Sequence, residues 1–127
     1  MHKLFTLYRL WLILLALSIG LLVVLSSLPR GTQDFSFVFA DKIIHFGYFM
    51  GISGLLNLYW SSFHRSSYVS LGWFSVVIVA ILGALDEWYQ TYRPGRSGND
   101  LGDWLADCAG AVVGYLIIRF IYQYTYK

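Results

Sequence analysis

The sequence predicts an all-α protein: a four-helix transmembrane bundle with both termini on the cytoplasmic side. Three observations carry this reading. The chain is 57% hydrophobic and only 13% charged, far from the balance of soluble domains. Its apolar residues gather into long segments at about 10–28, 43–60, 68–85 and 101–122, each near the length needed to cross a hydrocarbon core of about 30 Å. Every acidic residue (Asp34, Asp41, Asp86, Glu87, Asp100, Asp103, Asp107) falls at segment ends that such a topology puts on one side. The 127 residues are expected to form one domain, 1–127.

The first segment follows Lys3 and Arg9 and is ended by Pro29, which removes a donor and biases its predecessor away from helix. It is long for a signal-peptide core, and Ser26-Ser27-Leu28-Pro29 is a poor cleavage site, so a retained anchor is expected. Residues 30–40 read as a loop, with Phe35, Phe37, Val38 and Phe39 suited to the membrane interface. The second helix is expected from Asp41, a candidate N-cap, to about Trp60. Gly47-x-x-x-Gly51, with Gly54 nearby, is a spacing that lets helices approach closely. Tyr59 and Trp60 mark the far interface, and a short turn holds His64 and Arg65.

The third helix is uncharged from Tyr68 to Leu85, with Gly72 and Gly83 as small contact sites, and its pattern continues to about Thr91. Pro94-Gly95 is a turn signature, and Ser97, Asn99 or Asp100 can cap the fourth helix. On that helix, from about Asp100 to Tyr122, Asp103, Asp107, Gly110 and Gly114 share one face. Arg119, Tyr122, Tyr124, Tyr126 and Lys127 read as an interfacial anchor. Lys3, Arg9, Arg65, Arg119 and Lys127 on one side outnumber Arg30, Lys42, Arg93 and Arg96 on the other by one, which favours termini inside and acids outside.

Ionisable side chains at membrane-helix ends are costly and are retained for pairing or function. A polar site is therefore expected where three helices converge, with Glu87, Arg96 and Asp103 at its core and Asp86 at its margin. Its ligand-binding candidates are Asp41, Lys42, His45, Tyr48, Glu87, Gln90, Arg96, Asp103 and Asp107. Asp41 and His45 lie one turn apart on one face, with Tyr48 three residues on. Structural readings stand beside these. Asp41 and Asp100 can be caps, Arg93 a solvated or headgroup contact, and Glu87 with Gln90 a polar knot between helices. Arg96 can pair with Asp103 or Glu87 or hold an anion. Asp107 lies a turn deeper than Asp103, where burial demands a partner.

Several chemistries are absent. The sequence has no G-x-S-x-G, H-E-x-x-H, C-x-x-C or glycine-rich phosphate loop. Cys108 is the only cysteine, which excludes an intrachain disulfide and a cysteine-based zinc site; it reads as a buried inert thiol. The net charge of +2, without a basic run, gives no sign of a nucleic-acid partner. A metal site of His45 with carboxylates is geometrically possible but chemically unselective, and no metal or cofactor is expected.

The segment Asp41-Lys42-Ile43-Ile44-His45-Phe46, with Tyr48 close behind, resembles the first motif of the VanZ-like membrane protein family. Glu87-x-x-Gln90, Pro94-Gly95-Arg96 and Asp103-x-x-x-Asp107-x-x-Gly110-x-x-x-Gly114 resemble its second block, in the same order and spacing. Asp107 stands where the family often has Asn, and Asp86 is less typical of the pattern than Glu87. The resemblance implies a multi-pass protein of the bacterial cytoplasmic membrane, in a family named for low-level teicoplanin resistance, and leaves the reaction open. Three functions fit. One is an envelope protein whose outward site binds or shields a lipid, wall precursor or glycopeptide. Another is an intramembrane enzyme with Glu87 or Asp107 as general acid or base and His45 as partner. The last, an ion-coupled carrier, fits poorly with an uncharged third helix.

Overall fold

A computed structural model of the chain describes residues 7–29, 39–63, 68–96 and 98–125. The expected interfacial residues Phe35, Phe37 and Val38, the turn with His64 and Arg65, the candidate cap Ser97, and the anchor residues Tyr126 and Lys127 lie outside these. The described residues form four helices: α1 (Tyr8–Ser27), α2 (Ala40–Ser61), α3 (Tyr68–Gln90) and α4 (Leu101–Thr125). They contain no strand, so the protein is an all-α bundle. α1, Leu71–Gln90 of α3, and α4 are long and apolar enough to cross a membrane. α2 has the length, 22 residues, but carries Asp41, Lys42 and His45 on its first turns.

α1 stops as the proline requires: Leu28, before Pro29, is extended at ψ 136°. α2 begins differently from expectation. Phe39 occupies the N-cap position without a side-chain cap, and Asp41 sits inside the first turn. There its charge still complements the helix N-terminus. The helices run alternately up and down. Ser26 at the end of α1 meets Asp86 at the end of α3, and Lys42 at the start of α2 meets Asp103 at the start of α4. At the opposite end the rings of Tyr8 and Phe63 pack with centroids 5.0 Å apart, and Tyr59 packs edge-on to Trp60 and Phe63.

The closest packing is between α2 and α4. A Cβ on Gly110 would lie 2.2 Å from the Phe46 carbonyl oxygen, and one on Gly114 would lie 2.3 Å from that of Met50. The two backbones touch there, and only glycine permits it. Ser53 ties the crossing by donating to the Ala111 carbonyl at 2.7 Å. Gly47 and Gly51 do not act as the expected contact pair, since nothing lies within 4 Å of a Cβ on either. Gly72 lies under the ring of the fully buried Tyr115, and Gly83 against Asp107. α4 is fixed to α3 by the Trp104 indole, which donates to the Ala80 carbonyl at 2.9 Å. Tyr48 donates to the Ser18 carbonyl at 2.6 Å and joins α2 to α1.

The core is Phe49, Ile52, Leu56, Val76, Val79, Ala111, Tyr115 and Ile118, with Leu15 and Leu22 from α1. The outer faces are apolar as well, including Ile13, Leu17, Val77, Ile81, Leu116 and Ile117. An apolar exterior with polar groups turned inward is what lipid requires.

The glycines separate packing from propensity. Gly114→Ala is expected to lower stability in detergent by about 1–3 kcal/mol through overpacking. Gly47→Ala, in open space on a helix, is expected to be neutral or to stabilise by about 0.5–1 kcal/mol. Thermal unfolding of the two variants tests this, and equal melting temperatures would refute the backbone contact.

Candidate functional site

All four helices deliver polar groups to one end of the bundle. Asp86 and Glu87 are adjacent in sequence and about 100° apart around α3, so they serve two different sides. Both are buried.

Asp86 faces α1. It accepts from the Ser26 hydroxyl and, at 2.8 Å, from the Gln90 side-chain amide. The Gln90 carbonyl oxygen accepts from Arg96 at 3.1 Å. Arg96 also donates to the carbonyls of Leu25 at 2.6 Å and Leu28 at 3.2 Å, capping the end of α1. Ser27 donates to the Val23 carbonyl at 2.6 Å, which leaves its oxygen to accept from the Tyr89 hydroxyl at 2.8 Å. Arg96 therefore does not pair with Asp103 or Glu87, and Asp86 is central rather than marginal. The expected three-helix site has a fourth wall. Sequence reasoning misses Ser26, because a serine pair at the end of an apolar run carries little signal.

Glu87 faces α2 and α4. One of its oxygens accepts from the Asp100 backbone N–H at 2.9 Å, and its carbonyl accepts from the Asn99 N–H at 3.2 Å. These bonds fold the loop back over the end of α3. The loop depends on left-handed residues: Gly95 at φ 74°, Gly98 at φ 44° and Asn99 at φ 53°. A Cβ on Gly98 would also meet the Thr91 nitrogen at 2.5 Å.

On α2, Lys42 reaches Asp103 at 2.8 Å and Asp100 at 3.5 Å. His45 Nδ1 donates to Asp107 Oδ1 at 2.9 Å, while Nε2 lies 3.9 Å from Asp103 Oδ2. The imidazole stacks parallel to Phe49, with centroids 6.4 Å apart. Asp107 is fully buried, and its Oδ2, like Glu87 Oε1, has no hydrogen-bond partner among the described residues. One ligand atom each from His45, Glu87 and Asp107 lie within 4.8 Å of one another, and Asp41, His45 and Asp103 form a similar group.

The remaining candidates fall around this cluster. Tyr48 and Asp41 line a pocket of about 320 Å³ beside it, together with Ser26, His45, Asp86, Gln90 and Arg96. Leu22, Leu25, Leu28, Ile44 and Phe49 form its apolar wall. Arg93, read as solvated or headgroup-bound, lies over the Tyr89 ring at 4.4 Å. Cys108 is a free thiol, half-buried rather than buried.

Asp100 is the cap of α4, accepting from the N–H groups of Gly102 at 2.7 Å and Asp103 at 3.4 Å. The Gly102 bond is the main cause that holds its carboxyl below the ordinary range; burial opposes it, and the Asp103 N–H and Lys42 add to it. Its stabilising contribution is thus complete above the ordinary aspartate pKa of about 3.9 and is lost as pH falls through the lower folded value. Asp100→Ala is expected to cost about 1 kcal/mol. Asp100→Asn keeps a capping oxygen without charge, so its melting-temperature gap to the native protein should shrink on acidification from about pH 7 to about pH 3. A gap independent of pH would mean that the charge contributes nothing.

No curated protein and no solved structure matches this chain. The family model described as VanZ/LLP1 does match, over residues 4–122. That range takes in α1, α2, α3, α4 as far as Tyr122, and every polar residue of the site. The chain is therefore a membrane protein of the VanZ/LLP1 family.

Proposed function

We propose that the protein binds an amphiphilic molecule of the bacterial cell envelope, such as a lipid-linked wall precursor or a glycopeptide. The molecule would lie in the pocket between α1, α2 and α3, on the outer side of the cytoplasmic membrane with the termini inside. The observation that carries this reading is the pocket's mixed lining, with Asp41, His45 and Asp86 as polar groups and Leu22, Leu25 and Ile44 as apolar ones. Carboxylates accept hydrogen bonds, so these groups suit a head group rich in donors, such as sugar hydroxyls or amines. Arg96 is committed to α1 carbonyls and Gln90, so it shapes the pocket and is not its chief anion contact.

A tail has a continuation. Tyr48 also lines an apolar groove with Gly47, Gly51, Gly54, Leu55 and Ile118. Gly47 and Gly51, which do not serve helix packing, leave room beside α2 for an acyl chain. Binding of this kind needs no catalysis, and the described bonds hold Asp86 and Lys42 in stable pairs. An intramembrane enzyme using Glu87 or Asp107 as acid or base is the second reading. It draws on the two buried carboxylate oxygens that lack partners among the described residues.

Lipid extracted from the purified protein and identified by mass spectrometry tests the binding reading. One glycosylated or amine-bearing lipid class should be enriched over the bulk membrane. Ile44 is exposed and lines the pocket, so Ile44→Trp should block the pocket without disturbing the core. The enrichment is expected to fall about tenfold or more in that variant and in Asp86→Ala. Co-purified lipid that mirrors the bulk membrane in all three proteins would overturn the proposal.

A further inference from the structure

We infer that His45, Glu87 and Asp107 form a binding site for one divalent transition-metal ion, sunk between α2, α3 and α4. His45 also lines the neighbouring pocket, whereas Glu87 and Asp107 do not. Glu87 is 4% exposed and Asp107 0%. Each keeps one oxygen, Oε1 and Oδ2 respectively, without a hydrogen-bond partner among the described residues. A buried carboxylate oxygen left in this way is costly. Glu87 and Asp107 each offer a carboxylate oxygen that, with a ring nitrogen of His45, makes a group of ligand atoms within 4.8 Å of one another.

The charge balance points the same way. Asp86, Glu87, Asp103 and Asp107 are buried together. Lys42 reaches Asp103 and Asp100, and Arg96 donates to carbonyl oxygens. Asp107 faces His45 at 2.9 Å, and among the described residues neither Lys42 nor Arg96 makes an ion pair with Glu87 or Asp107. A divalent ion bound there would neutralise both carboxylates and give their free oxygens a partner.

The three groups are also held in place before any ion arrives. Glu87 is fixed by the Asp100 N–H at its other oxygen. Asp107 is wedged against Gly83, where a Cβ would come within 2.7 Å of Oδ2. His45 is fixed by its stack on Phe49 and by Asp107. Behind the imidazole, Asp103 Oδ2 lies 3.9 Å from Nε2, and the other oxygen of that carboxylate, Oδ1, is held by Lys42 at 2.8 Å. Asp103 thus stands on the side of the ring where an outer carboxylate would orient a metal-bound histidine, and at 3.9 Å it is not hydrogen-bonded to Nε2. Coordination through Nδ1 would release that nitrogen's proton to solvent and leave Nε2–H directed toward Asp103. One imidazole and two carboxylates suit Zn²⁺ or Mn²⁺ better than Ca²⁺, which prefers a shell of oxygens alone.

Mn²⁺ is the probe. The full chain in detergent, stripped with a chelator, should bind one Mn²⁺ per chain by electron paramagnetic resonance. The bound ion should show coupling to one imidazole nitrogen. Zn²⁺ at an equivalent concentration should displace it, and a tenfold or so excess of Ca²⁺ should not. Glu87→Gln and Asp107→Asn should each weaken binding by about tenfold or more, as loss of a ligand requires. His45→Gln should abolish the nitrogen coupling. Absence of stoichiometric binding to the native chain, nitrogen coupling that persists in His45→Gln, or displacement by Ca²⁺ would each overturn the inference. If the ligand variants do not fold, the stoichiometry, coupling and ion selectivity of the native chain decide the question.

Discussion

Four buried carboxylates at one end of an apolar bundle are the constraint on which the rest of this structure depends. Asp86, Glu87, Asp103 and Asp107 cannot be hydrated by lipid, so each must find a donor within the protein. That requirement draws all four helix ends together. α1 supplies Ser26, α2 supplies Lys42 and His45, and the loop after α3 supplies the backbone N–H of Asp100. The depth of the cluster is set further down, where Gly110 and Gly114 let the α4 backbone rest on that of α2. A larger residue there would separate the helices, and His45 would lose its reach to Asp107. The glycines of α4 are therefore part of the electrostatics of the site, one to two turns away from it.

The order of the residues divides the labour. Adjacent carboxylates on α3 point to different neighbours, so a single dipeptide serves two hydrogen-bond systems. The Asp86 system joins α1 to the loop through Gln90 and Arg96. The Glu87 system joins that loop to the start of α4. α1 has little buried surface, with Trp11, Leu15, Leu22 and Ser26 as its buried residues. In lipid there is no hydrophobic drive to hold such a helix in the bundle. Its polar ties to Asp86, Arg96, Tyr48 and Tyr89 carry that task instead.

Much of this architecture is legible in the sequence. The helices lie within a few residues of expectation because apolar runs bounded by proline, glycine and acid leave few alternatives. The stripe of Asp103, Asp107, Gly110 and Gly114 is buried along its length, as helical spacing requires. What periodicity does not supply is the partner of each group. A face on a helix does not say which neighbour covers it, so Arg96 reads as a partner of carboxylates and instead meets carbonyls. Asp86 reads as marginal because Glu87 better fits the family pattern, and a pattern says nothing about which adjacent acid turns toward α1. The Gly47-x-x-x-Gly51 spacing misleads for the same reason: small residues permit close approach, and whether a helix takes the offer depends on the fold around them.

α2 shows why hydropathy alone undervalues the helix at the heart of such a bundle. Among the four described helices it is the one not apolar enough to read as a span, yet it packs against each of the other three. Its polarity is turned inward: Ser53 and Asn57 are fully buried, and Lys42 and His45 face α4. A helix covered largely by protein needs little apolar surface for lipid and can carry the groups that a site requires. The outer helices, which must face lipid, supply the apolar residues that mark the chain as a membrane protein. The most polar helix is then the place to look for function, because in this setting polarity is tolerated only where neighbouring helices satisfy it.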